Sequence, residues 1–132
     1  MELRHIILLL WSSALVKEHI EKSLVDPERF HKACAAVMGD LRELGVPITF
    51  DPGPGYPYSK LVAESLGELL SNGSTDHDVV EGRVFHVLTL SRARHHLQHV
   101  KVGITSKMRY ILMRMADSFT REILAAETTN VR

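Results

Sequence analysis

Residues 51–73 read DPGPGYPYSKLVAESLGELLSNG. Pro52, Pro54 and Pro57 fix φ and remove amide donors, while Gly53 and Gly55 open the positive-φ region, so residues 51–58 cannot be helical. The loop then empties into an amphipathic helix. Ser59 is the expected N-cap, residues 60–71 the helix, and Asn72-Gly73 its stop. Leu61, Val62, Leu66, Leu69 and Leu70 fall on one face at helical spacing and form the stripe expected to be buried.

Upstream, residues 46–50 read as a short extended piece. Before it, Asp26-Pro27-Glu28 is a helix start: Asp26 caps, Pro27 suits the first turn and Glu28 complements the dipole. Phe30, Cys34, Val37, Leu41 and Leu44 recur at three- and four-residue steps, predicting one helix from 27 to 44 that ends at Gly45. Residues 2–23 read as a first helix, apolar nearly all round in its first half and polar in its second. Downstream, 74–78 is a polar loop. Residues 79–90 predict a hairpin, VVE and RVFHVLTL, turning at Glu81-Gly82. In it Val84, His86 and Leu88 share one face, and Arg83, Phe85 and Val87 the other. Ser91 is the expected cap of a helix containing Leu97 and Val100. Thr105 or Ser106 caps a last helix running to Glu127, and residues 128–132 fray.

Composition excludes several function classes. The 132 residues carry 16 Lys and Arg against 16 Asp and Glu, so the whole molecule is no electrostatic magnet for nucleic acid or acidic lipid. The charge is unevenly spread, however. Residues 1–81 hold seven basic and thirteen acidic side chains. Residues 82–116 hold seven basic ones and no acid, and residues 117–132 hold two basic and three acidic ones. A single cysteine, Cys34, rules out an intrachain disulfide and points to a reducing cytoplasm. The apolar run 6–11 is shorter than the roughly 20 residues a membrane span needs. Glu2 before it and the lack of a clean cleavage site argue for a buried first helix rather than a leader.

The order helix, helix, short strand, loop, helix, hairpin, helices is that of a winged helix, with the hairpin as wing. Tyr56-Pro57-Tyr58-Ser59, then Leu61, Leu66, Leu69, Leu70 and Gly73, then Phe85-His86-Val87-Leu88-Thr89, resemble small prokaryotic winged-helix proteins of the YwgA-like group and, more distantly, Panacea domains. The likeness spans residues 27–90. That group has an aromatic-Gly-Pro-Tyr-Ser turn, whereas this chain has Tyr56 at the glycine position. The resemblance implies a fold and brings no settled activity.

The expected fold is therefore α+β and mainly helical: a winged-helix-type domain over 1–104 with a long C-terminal dimerisation helix over 105–132. The expected function is that of a DNA-associated regulator gripping phosphates through the acid-free segment, with Lys60, Arg83, Arg92, Arg94, Lys101 and Lys107 as contacts. Glu64 and Glu68 on the helix that normally reads DNA oppose phosphate and leave open a protein–protein module without nucleic acid. The arginines can equally pair with the acidic N-terminal half. The stripe Met108, Ile111, Leu112, Met115, Phe119 and Ile123 is expected to form a homodimer interface. No catalytic constellation is assembled, since no nucleophile elbow or phosphate-binding glycine loop is present. His95 and His99 lie four apart, the spacing at which two imidazoles reach one metal, but no third ligand follows. No catalytic residue, cofactor, metal site or membrane partner is assigned. Duplex DNA and a second copy of the chain are the expected partners.

Overall fold

The computed structural model of the chain describes residues 1–53, 55–99 and 103–125, and the backbone of 130–131. Pro54, Val100, Lys101 and Glu127, each used above, lie outside the described residues. The architecture is α+β and mainly helical. Among the described residues there are six helices and a small antiparallel sheet, in which the hairpin strands β2 (Asp76–Val80) and β3 (Arg83–Thr89) are followed by β1 (Lys22–Val25) and β4 (Asn130–Val131).

The first helix, α1 (Leu3–Glu18), is shorter than the sequence predicts. His19 adopts the left-handed conformation at φ 54° and ψ 46°. Its amide donates to Val16 O, and that of Ile20 to Leu15 O at 3.0 Å. This double closure, with the apolar residue beyond it fully buried, is a Schellman stop built on histidine instead of glycine. The chain therefore leaves the helix early enough to form β1 (Lys22–Val25). Inside, Trp11 is sealed from solvent and its indole N–H donates to Ser23 Oγ at 3.0 Å.

The predicted single helix 27–44 is two: α2 (Pro27–Ala36) and α3 (Met38–Glu43). Val37 breaks it at φ −118° and ψ 25°, burying its side chain, and Gly39 in the next turn adds little helical preference. Asp26 caps α2 as expected, with Oδ1 accepting from Arg29 N–H at 3.1 Å. Residues 46–50 form no ladder. Val46 and Ile48 are buried, and Arg42 donates twice to the Ile48 carbonyl.

Helix α4 (Lys60–Ser71) matches the prediction, with Ser59 Oγ accepting from Val62 N–H. The hairpin is longer than predicted: β2 (Asp76–Val80) takes in part of the polar loop, and β3 is Arg83–Thr89. Glu81 and Gly82 both have positive φ, 51° and 78°, the signature of a tight two-residue turn whose twist suits a hairpin. Strand β3 also pairs with β1, placing Lys22 opposite Thr89 and Val25 opposite His86. Helix α5 (Leu90–His99) leaves β3 directly. Its cap is Thr89, whose Oγ1 accepts from Arg92 N–H, rather than Ser91.

Helix α6 (Ser106–Ile123), capped by Thr105, ends before the predicted Glu127. It lies across α2, α1 and α3. Ile111, Leu112, Met115, Phe119 and Ile123 are buried in the same core as α1, α2 and α4, with Met108 packed at its edge. The expected dimer stripe is thus used up within the chain. An apolar helix face needs one cover, and here α2 and α1 provide it. The division at 104–105 falls inside one continuous core. At the far edge of the sheet, β4 (Asn130–Val131) pairs with β1.

Candidate interaction surface

The loop 51–58 is a rigid platform beside α2. Asp51 and Tyr58 exchange backbone hydrogen bonds at 2.8 and 3.0 Å, closing it as a ring. His31, buried on α2, accepts the Ser59 amide at Nδ1 over 3.0 Å. Its ring stacks on Tyr58 at 4.6 Å and meets Tyr56 at 5.6 Å. Burial pushes the His31 pKa below its ordinary value, which keeps the Nδ1 lone pair available for the Ser59 amide. The tyrosines therefore seat the loop on the domain. Histidine, the residue that holds the loop, lies 28 positions upstream of Ser59 in sequence.

On α4, the exposed face presents Lys60, Glu64, Gly67, Glu68 and Ser71. Glu68 pairs with Arg4 at 3.0 Å. With Glu68 balanced by Arg4 and Glu64 by Lys60, this face carries no excess of cations to hold phosphate.

Three arginines of the basic segment pair with acids of residues 1–81. Arg83 pairs with Asp26 at 2.6 Å, so that one carboxylate caps α2 and ties it to β3. Arg92 donates to the Gly73 carbonyl at 2.6 Å and lies 3.5 Å from Asp76. Arg114 reaches Asp40 at 2.6 Å and Glu43 at 3.0 Å. Arg94, Lys107 and Arg109 are exposed. Of the expected DNA contacts, Arg83 and Arg92 are occupied within the chain, Lys60, Arg94 and Lys107 face solvent, and Lys101 lies outside the described residues.

The hairpin tip is the contrasting surface. Every residue of β2 is exposed. Val79, Val80 and Val84 are 57%, 42% and 49% exposed, and among the described residues only Tyr110 and Met113 join them as large exposed apolar side chains. Asp76, Asp78 and Glu81 surround the valines. Behind the tip a cleft of about 380 Å³ runs between the first turn of α2 and β3, lined by Asp26, Pro27, Glu28, Tyr56, Arg83 and Val84. His86 forms the inner wall of the hairpin. It meets Phe30 edge-on at 5.9 Å, and its buried Nδ1 has no hydrogen-bond partner among the described residues. Burial, and then His77 opposite, push the His86 pKa down.

The α5 histidines, Cys34 and the groove between α1 and α6 carry less. On α5 the His95 and His99 rings lie 4.3 Å apart, with His99 Nδ1 2.8 Å from the His95 carbonyl oxygen, while His96 turns to the Ser74 carbonyl at 3.0 Å. Among the described residues no group of three His, Cys, Asp or Glu side chains is placed to hold a metal. Cys34 is fully buried and its thiol is pushed up to about 12, which makes it an inert core residue. A groove of about 650 Å³ between α1 and α6 mixes Leu10, Ala14 and Leu124 with Lys17, Asp117 and Arg121. No helix of the described residues is long and apolar enough to cross a membrane.

No protein-family model matches the chain, and neither a curated protein nor a solved structure matches it significantly.

Proposed function

We propose that this chain is a protein–protein interaction module of winged-helix form in which the DNA-reading surface has been replaced by an acidic one. The form is supported by the order α1, β1, α2–α3, α4, β2, β3 and by β1 pairing with β3 beside the hairpin. In that arrangement α4 takes the place of the reading helix and β2–β3 that of the wing. The observation that carries the proposal is the charge of these two elements. Glu64 faces outward from α4, where Glu68 is paired with Arg4, Asp78 and Glu81 face outward from the hairpin, and the nearby Arg83 and Arg92 are bound to Asp26 and Asp76. A duplex laid on this side would meet carboxylates where phosphate contact needs cations.

The competing reading, a DNA-associated regulator, is favoured by the exposed Lys60, Arg94, Lys107 and Arg109. The two readings separate in one titration. Fluorescence anisotropy with a labelled 30-base-pair duplex at about 50 mM salt, where electrostatic contacts are strongest, is expected to show no binding at micromolar protein. Binding that weakens steeply with added salt and drops in Arg94→Ala plus Lys107→Ala would overturn the proposal in favour of DNA.

A further inference from the structure

Resting on the interaction-module reading, we propose that the outer edge of β2 and the valine tip beside it dock an extended, basic segment of another protein as an added strand. The sheet order leaves β2 with one neighbour, β3, while the opposite edge at β1 is covered by β4 of the same chain. A strand with one neighbour presents a row of amides and carbonyls to any incoming chain. In a hairpin closed by a two-residue turn, Val80 and Arg83 form the inner hydrogen-bonded pair, so the backbone groups of Val79 and His77 face outward. The structure agrees: the Val79 amide is taken up by the Asp78 carboxylate at 2.8 Å instead of by a neighbouring strand. That contact is exposed and local, so an added strand can displace it.

Side-chain chemistry selects the occupant. Val79 and Val84 lie opposite each other on one face of the hairpin, and Val84 continues into the cleft walled by Pro27 and Tyr56. The two faces of the tip together expose three valines, enough to seat an aliphatic or aromatic anchor. Around them stand Asp78 and Glu81, with Asp76 and Glu28 beyond, each of these two already paired with a cation. The nearest cations are already engaged, Arg83 with Asp26, Arg92 with Asp76 and Lys32 with Glu28. A second copy of this chain is a poor occupant, because antiparallel edge-to-edge pairing of the outward-facing His77 and Val79 sets Asp78 directly opposite the Asp78 of the other copy, with Asp76 on the same face. The acids that keep two copies apart favour a partner segment with Lys or Arg flanking an apolar residue.

The test uses two synthetic nine-residue peptides that alternate valine with lysine or valine with glutamate, titrated into the full-length ¹⁵N-labelled chain. The lysine peptide is expected to shift the amides of residues 76–85, with binding weakened at least about tenfold by Asp78→Lys plus Glu81→Lys, whose side chains are exposed. The glutamate peptide is expected to leave those amides unmoved, which supplies the charge comparison without any substitution. Shifts that map instead to Tyr110 and Met113 or to the α1–α6 groove would overturn this docking edge while leaving the interaction-module reading in place. Equal response to both peptides, or none up to millimolar concentration, would overturn it too. Failure of the parent reading has a different signature, the salt-sensitive duplex binding through Arg94 and Lys107.

Discussion

At the scale of single residues, two backbone positions carry strain that sequence chemistry can relieve. Glu81 sits at φ 51° in the hairpin turn, and His19 at φ 54° closes α1. Side chains with a Cβ adopt this region at a cost of about 1–2 kcal/mol, less for asparagine and least for glycine. Glu81→Asn is therefore expected to stabilise the fold by about 0.5–1 kcal/mol, read as a higher urea midpoint at unchanged slope, because it completes the Asn-Gly pair this turn type prefers. A lower midpoint would mean that Glu81 makes a compensating contact. Helix ends mark where the sequence is legible and where it is not. Gly73 announced the end of α4 because glycine is the residue chemistry expects there. The stop of α1 at His19 gave no such signal, and so β1 was hidden inside an apparent helix tail. His31 was unreadable for another reason: its partner Ser59 and the tyrosines it stacks on are brought to it only by the fold.

At the scale of elements, the loop 51–58 shows what its composition is for. Gly53 has φ 55°, and a Cβ there would lie 2.7 Å from the Tyr56 carbonyl oxygen and 2.9 Å from Tyr58 Cβ. Gly55, at φ 90°, faces open space. Gly53→Ala combines backbone strain with a clash against the ring that His31 holds. It is expected to cost about 2–3 kcal/mol in thermal or urea unfolding. Gly55→Ala carries strain alone and should cost about 1 kcal/mol. Equal losses at the two sites would show that the close approach at Gly53 does not matter. Sequence alone separates this loop from helix but cannot rank its two glycines, since the distinction depends on how the ring closes. Helix α6 makes a similar point. Its stripe was plain at three- and four-residue steps, but periodicity says that a face is buried and not by what. Between a second copy and its own α2, only tertiary placement decides.

At the scale of the whole molecule, one core joins α1, α2, α4 and α6, and its state of charge is coupled to stability. With the α6 stripe enclosed, the chain is expected to run as a monomer of 14.9 kDa in light scattering. A mass of twice that would require an interface built elsewhere, with Tyr110 and Met113 the first residues to substitute. The fold also buries His31 and half-buries His86 and His96. Burial is the leading cause that pushes His31, His86 and His96 below their ordinary value. Around His86 stand His77 and Phe30, around His31 the Ser59 amide and two tyrosines, and around His96 the Ser74 carbonyl with His95, His99 and Arg92. Among the described residues no carboxylate contributes to offset the cost of charging these rings. In the unfolded chain each takes up a proton near pH 6.5, whereas in the folded chain each resists it. The unfolded state thus binds more protons, so stability is complete above about pH 6.5 and falls as the pH drops below it, levelling off only once the folded-state values are passed. The melting temperature is expected to fall between pH 7.5 and 5.5, and His31→Gln is expected to flatten that slope because its amide oxygen accepts the Ser59 N–H at any pH. A melting temperature that stays level or rises across this range would mean that the three rings are solvated, and the clamp between α2 and the loop would then need another origin.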